Sequence, residues 1–189
     1  MKKSPFVHLA ALIFLFACGK DEDPNPMTDV PDAHTDTSAV SFDLSSVPYD
    51  SLSKYRFFEG ALADFNPTIG VVPFEPINAL FSDYAHKERF LWMPQGAGAT
   101  YESDSSVLVF PEGTVLLKTF YYDHVLPSDQ RRILETRMLF KRNGVWEFAK
   151  YVWNDEQTEA VYDMNGYLVP VSFTDDSQTA HDVVYAMPT

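Results

Sequence analysis

Residues 114–122 read Thr-Val-Leu-Leu-Lys-Thr-Phe-Tyr-Tyr, apolar on both faces of a two-residue repeat apart from Lys118 and the threonines. That pattern predicts an interior strand covered on both sides. A shorter apolar run at 107–110 precedes it across Pro111-Glu112-Gly113 and predicts a second strand joined by that turn. Further on, Thr136, Met138 and Phe140 alternate with Arg137, Leu139 and Lys141. Beyond Asn143-Gly144, Trp146, Phe148 and Val152 alternate with Glu147, Ala149, Tyr151 and Trp153. Asn and Gly tolerate the positive φ of a tight hairpin turn, so two paired strands are predicted around them. Asn165-Gly166 predicts another such hairpin, and residues 181–187 one more strand. Pro188 lacks an N–H and stops ladder pairing, so Pro188 and Thr189 are expected to project from the sheet beside an exposed apolar patch.

Helical signal is scarce. Residues 82–89 predict a short helix, with Ser82 as cap and Asp83 in the first turn, where its charge suits the helix dipole. A shorter turn is predicted at 51–57. The fold class that follows is mainly β: an antiparallel β-sandwich, with a barrel as second choice, and one or two short helices.

The amino terminus follows a different pattern. Lys2 and Lys3 precede an uncharged apolar run at 9–17, a length that fits a secretory leader and falls short of a membrane-spanning helix. Leu15-Phe16-Ala17-Cys18 reads as a bacterial lipobox, in which the thiol of Cys18 receives the lipid. Residues 1–17 are thus a lipoprotein signal peptide, and several acyl chains would hold the mature chain on a membrane. Lys20, Asp21 and Glu22 then resemble the export signal of Bacteroidetes surface lipoproteins. This resemblance implies the outer face of the outer membrane, with the periplasmic face as the alternative. Residues 18–48 hold few large apolar side chains and several Pro and Asp, which predicts a disordered acidic tether. The β-rich domain is then expected over 49–189.

Charge narrows the partners. The formal net charge is −13, and loss of Lys2 and Lys3 makes it two units more negative. Such a surface repels nucleic acid. Cys18 is the sole cysteine, so no disulfide or thiolate metal site is available. Nucleotide loops, HExxH and GxSxG are absent from the sequence. Two acid–histidine pairs remain as weak polar-site candidates: Asp83 with His86, and Asp123 with His124. They are more simply read as surface charge pairing. Aromatics make up 15% of the chain, and Tyr151 and Trp153 are the candidates for stacking on a sugar. Core filling is the competing reading of both rings.

Segments 55–101, 110–122, 131–160 and 183–189 together resemble a family of uncharacterised secreted bacterial proteins. In that family the strand like Val183-Val184-Tyr185-Ala186-Met187-Pro188-Thr189 typically leads into a CxxCH haem-c box. No CxxCH occurs in this sequence, so no haem ligand carries over and no cofactor is assigned. The resemblance implies the β-rich domain that precedes the box, either cut short or standing alone. The first functional reading is therefore a non-catalytic, membrane-tethered module accessory to a c-type cytochrome or redox protein. A surface carbohydrate-binding module is the alternative, and a glycan-active enzyme the third.

Overall fold

The computed structural model describes residues 38–78 and 84–189. Lipid attachment at Cys18, the export signal at Lys20, Asp21 and Glu22, and the helix-capping residues Ser82 and Asp83 lie outside the described residues. Among the described residues, ten strands follow in chain order. They are β1 (Phe58–Glu59), β2 (Asn66–Pro67), β3 (Val71–Pro73), β4 (His86–Trp92) and β5 (Val115–Val125). Then come β6 (Gln130–Arg142), β7 (Val145–Trp153), β8 (Ala160–Tyr162), β9 (Tyr167–Thr174) and β10 (Ala180–Met187). Strands β3 to β8 form an antiparallel meander in sequence order. The β9–β10 hairpin joins it through Val125 opposite Phe173. The protein is mainly β and sandwich-like, and its sheet is not a closed barrel. Among the described residues, helical turns are limited to 3-10 segments at Leu52–Tyr55, inside the predicted turn at 51–57, and at Leu62–Asp64.

The first face of the meander carries the larger core. Val115, Leu117 and Tyr121 of β5 meet Met138 and Phe140 of β6 and Ala149, Tyr151 and Trp153 of β7. Residues before the 3-10 turn close this core. Phe42 contacts the rings of Trp92 and Phe140, and Val47 is buried. Arg142 holds the carbonyls of Leu44 and Val47. The packed domain therefore begins before Tyr49: Val40, Phe42 and Leu44 pack against this core and Val47 is buried in it, while Ser41, Asp43, Ser45 and Ser46 stay exposed. Each residue in this short stretch is a weak signal in sequence, but their apolar side chains fit the space left above β6.

The second face is covered over half its length. There β9 and β10 lay Val171, Phe173, Tyr185 and Met187 on Phe120, Tyr122 and Leu134. A register shift between Phe120 and Tyr121 leaves Leu134 without an opposite residue, so Leu134 points to this second core while Ile133 stays in the first. The interior strand predicted at 114–122 is thus buried on both faces at its carboxyl end, and on one face at its start.

Three local expectations are corrected. Residues 86–89 are strand, not helix, because Phe90 and Trp92 face the core while the whole of β4 pairs with β5. Cross-strand pairing overrides the helix preference of Lys87, Glu88 and Arg89. Residues 107–110 form no strand; Val109 makes only an isolated bridge to Thr100. Asn165-Gly166 does not turn a hairpin, since β8 pairs with β7 and β9 with β10. Gly166 instead permits a close approach: a Cβ there would lie 3.1 Å from Thr189 Cγ2. The actual turns are organised by side chains. Asn154 Oδ1 accepts from the N–H groups of Thr158 and Glu159. Asp175 Oδ1 does the same for Ser177 and Thr179. Asn143-Gly144 does turn β6 into β7, with φ of 54° and 78°.

Strand β10 pairs along its full length as expected. Pro188 and Thr189 do not project as a free connection. The Pro188 carbonyl accepts a hydrogen bond from Lys150 Nζ at 2.7 Å, and Thr189 lies against Gly166.

Candidate functional site

His86 and His124, far apart in sequence, line one cleft of about 320 Å³. His86 opens β4 opposite Tyr121 and stacks on it, with ring centroids 5.4 Å apart. Tyr121 donates to Glu88 Oε1 at 3.2 Å and carries the Arg131 guanidinium 4.1 Å above its ring. Burial and then the Glu88 charge push the Tyr121 hydroxyl up to about 12. His124, near the end of β5, adopts a φ of 53° and meets Asp129 Oδ1 at 2.8 Å. Asp123 accepts from Arg131 Nε at 2.8 Å. On the far side, His181 lies between Phe173 and Tyr84 and is 2.8 Å from Asp175.

The geometry therefore gathers more than the sequence pairs implied, but it commits His124 to Asp129 and His181 to Asp175, while His86 is held by its stack on Tyr121. Asp123 pairs with Arg131 rather than with His124. Among the described residues, no three His, Cys, Asp or Glu side chains are grouped to hold a metal ion.

Tyr151 and Trp153 are core residues, 0% and 6% exposed, and cannot stack on a sugar. Tyr55 and Tyr151 hydroxyls are 2.6 Å apart, and Tyr151 donates onward to the Tyr49 carbonyl at 3.0 Å. Burial first, then the Tyr55 hydrogen bond, raise the Tyr151 hydroxyl far above its usual range. Trp153 Nε1 donates to Thr136 Oγ1 at 3.0 Å. Alternation along β7 fixes which rings go in. The first face is closed by residues 40–57, so the 149, 151, 153 set is buried and Trp146 and Phe148 are left 40% and 38% exposed.

A second cleft, of about 380 Å³, occupies the uncovered half of the second face. Its floor is built from cross-strand rows. Leu91, Leu116, Leu139 and Phe148 are in register across β4, β5, β6 and β7. Two residues along each strand runs a parallel row: Arg89, Lys118, Arg137 and Lys150. Phe74, whose N–H donates to the Arg89 carbonyl, and Pro76 form a wall. Lys150 passes under the β9–β10 layer to the Pro188 carbonyl, leaving three cations at the open cleft. Arg137 donates to Glu135 Oε1 through Nε and Nη2, and Tyr185 donates to the same oxygen. Burial, then Arg89 and Arg137, depress the Lys118 ammonium below the usual lysine range. The sequence carried one sign of this site: Lys118 alone among apolar residues on the central strand.

No family model matches this chain, and no curated protein or solved structure matches it either.

Proposed function

We propose that this chain is a non-catalytic, membrane-tethered β-rich module of a cell-envelope lipoprotein that works by binding on the open half of its second sheet face. The observation that carries the reading is the apolar cleft floored by Leu116, Leu139 and Phe148, because an exposed apolar concavity on an otherwise acidic domain marks a binding surface. In the histidine cleft His124 and His181 are paired with Asp129 and Asp175, and Asp123 with Arg131. The tether rests on the lipobox ending at Cys18, and outer-membrane surface placement on Lys20, Asp21 and Glu22. Service to a c-type cytochrome or another redox protein rests on the family resemblance alone. A surface carbohydrate-binding module remains the second reading. It now rests on the exposed rings Trp146 and Phe148 in place of Tyr151 and Trp153.

A neutral apolar dye tests the binding face without invoking charge. Nile red should bind the folded chain saturably, and Leu139→Glu should abolish that binding while leaving the far-ultraviolet spectrum intact. Saturable binding that survives Leu139→Glu would place the working surface elsewhere.

A further inference from the structure

The cation row is an anomaly that burial alone does not explain. The chain has 14 Lys and Arg against 27 Asp and Glu, yet four bases stand side by side across four strands. Like charges directly opposite one another destabilise a sheet. The ion pairs among the described residues engage Lys54, Arg131, Arg132, Arg137, Arg142 and two histidines, and neither Arg89 nor Lys118. The Lys118 ammonium has the Phe120 ring 4.7 Å away, and its lowered proton affinity fits a cation held near others with little compensation. Departures from local stability rules of this kind concentrate at functional sites.

We propose, resting on the binding-face reading above, that this cleft holds a single-chain amphiphilic carboxylate of the fatty-acid class. Its head lies on Lys118 and Arg89, and its alkyl chain runs along Leu116, Leu139 and Phe148. Charge complementarity sets the head: a carboxylate relieves the repulsion in the row, and the guanidinium of Arg89 matches its two oxygens. Spacing sets the tail. Adjacent same-face rows lie about 6.8 Å apart along the strands, so a head on the cation row leaves the first methylenes on the leucine row. Two interstrand steps of about 4.8 Å from Leu116 to Phe148, with the step of about 6.8 Å from the cation row, give a path of about 16 Å, close to the length of an extended dodecanoate. A cleft of about 380 Å³ sits near the lower end of the usual range for small-ligand sites, which suits one chain rather than a two-chain lipid.

Dodecanoate and dodecylammonium below their micelle concentrations, and dodecanol below its solubility limit, test this by calorimetry on the full chain carrying Cys18→Ser. Dodecanoate should bind one to one and at least tenfold tighter than dodecanol, with dodecylammonium weakest. Lys118→Met should weaken dodecanoate about tenfold and leave dodecanol unchanged, while Lys118→Arg should restore dodecanoate. Equal affinity for dodecanoate and dodecanol would overturn the proposal while sparing the binding face that Nile red reports. So would binding only to anionic vesicles, or a dimer in sedimentation that Leu139→Glu dissociates, since the occupant would then be a membrane or a second copy.

Discussion

Lys118 on β5 stands directly opposite Arg89 on β4, cation against cation, and on its other side opposite Arg137 on β6. Each like-charge pair costs stability, so the wild-type sheet carries a penalty that a neutral side chain removes. Lys118→Met is expected to stabilise the ligand-free protein by about 0.2–1 kcal/mol. Because the folded-state affinity of Lys118 for its proton is depressed, the unfolded chain binds more protons just below the ordinary lysine value. Wild-type stability should therefore rise with pH in that window, and the advantage of Lys118→Met should shrink. Urea melts of both proteins at neutral and alkaline pH measure this, and a destabilised variant would contradict it.

Tyr151 is predicted to matter for stability rather than for recognition. Tyr151→Phe leaves the Tyr49 carbonyl without its donor and the Tyr55 hydroxyl without its neighbour, both in the core. The expected loss is about 1–3 kcal/mol, read from denaturant unfolding. Dye and amphiphile binding at the open cleft should not change.

Gly144 has a φ of 78°, and a Cβ placed there meets nothing within 4 Å. Its cost on substitution is therefore backbone strain and not a clash. Gly144→Val should lose about 1–3 kcal/mol in thermal unfolding, and Gly144→Asn much less.

Asp175 organises the β9–β10 turn, and the His181 contact, followed by the Thr179 N–H, holds its carboxyl below the usual range. A depressed folded-state value means that the carboxylate contributes stability above the ordinary Asp pKa and loses it as pH falls through the folded value. Asp175→Asn should flatten the stability profile in that acid window, as followed by circular dichroism, and change little in its slope at neutral pH.

On the proposed lipid anchor, Cys18→Ala should move the chain from the membrane pellet to the soluble fraction, since such an anchor holds by buried acyl chains. Replacing Lys20, Asp21 and Glu22 by Ala should keep the lipid but remove access to protease added to intact cells. A wild-type chain that resists that protease would place it on the periplasmic side.

Legibility in the sequence followed the reach of each signal. The β6–β7 hairpin was readable because strict alternation and Asn143-Gly144 act locally. The strand at 86–92 was not, because what makes it a strand is β5, which lies more than twenty residues away. Asn165-Gly166 misled because turn chemistry says that the chain bends but not which strands it joins. Tyr151 and Trp153 were seen to share one face of β7. Which face is buried depends on residues 40–57 folding back over it, and periodicity in β7 carries no information about that cover. The cation row was the least visible feature. Its members lie on four strands, and only the register of those strands aligns them.

Methyl-resolved carbon–proton spectra of the leucines, titrated with dodecanoate, test the central claim most directly. The account predicts saturable shifts at Leu116 and Leu139, with a midpoint about tenfold higher in Lys118→Met, and with Leu134 and Leu168 unmoved. Shifts centred on Leu168 beside Tyr167, or on residues around the cleft of His86 and His124, would contradict it.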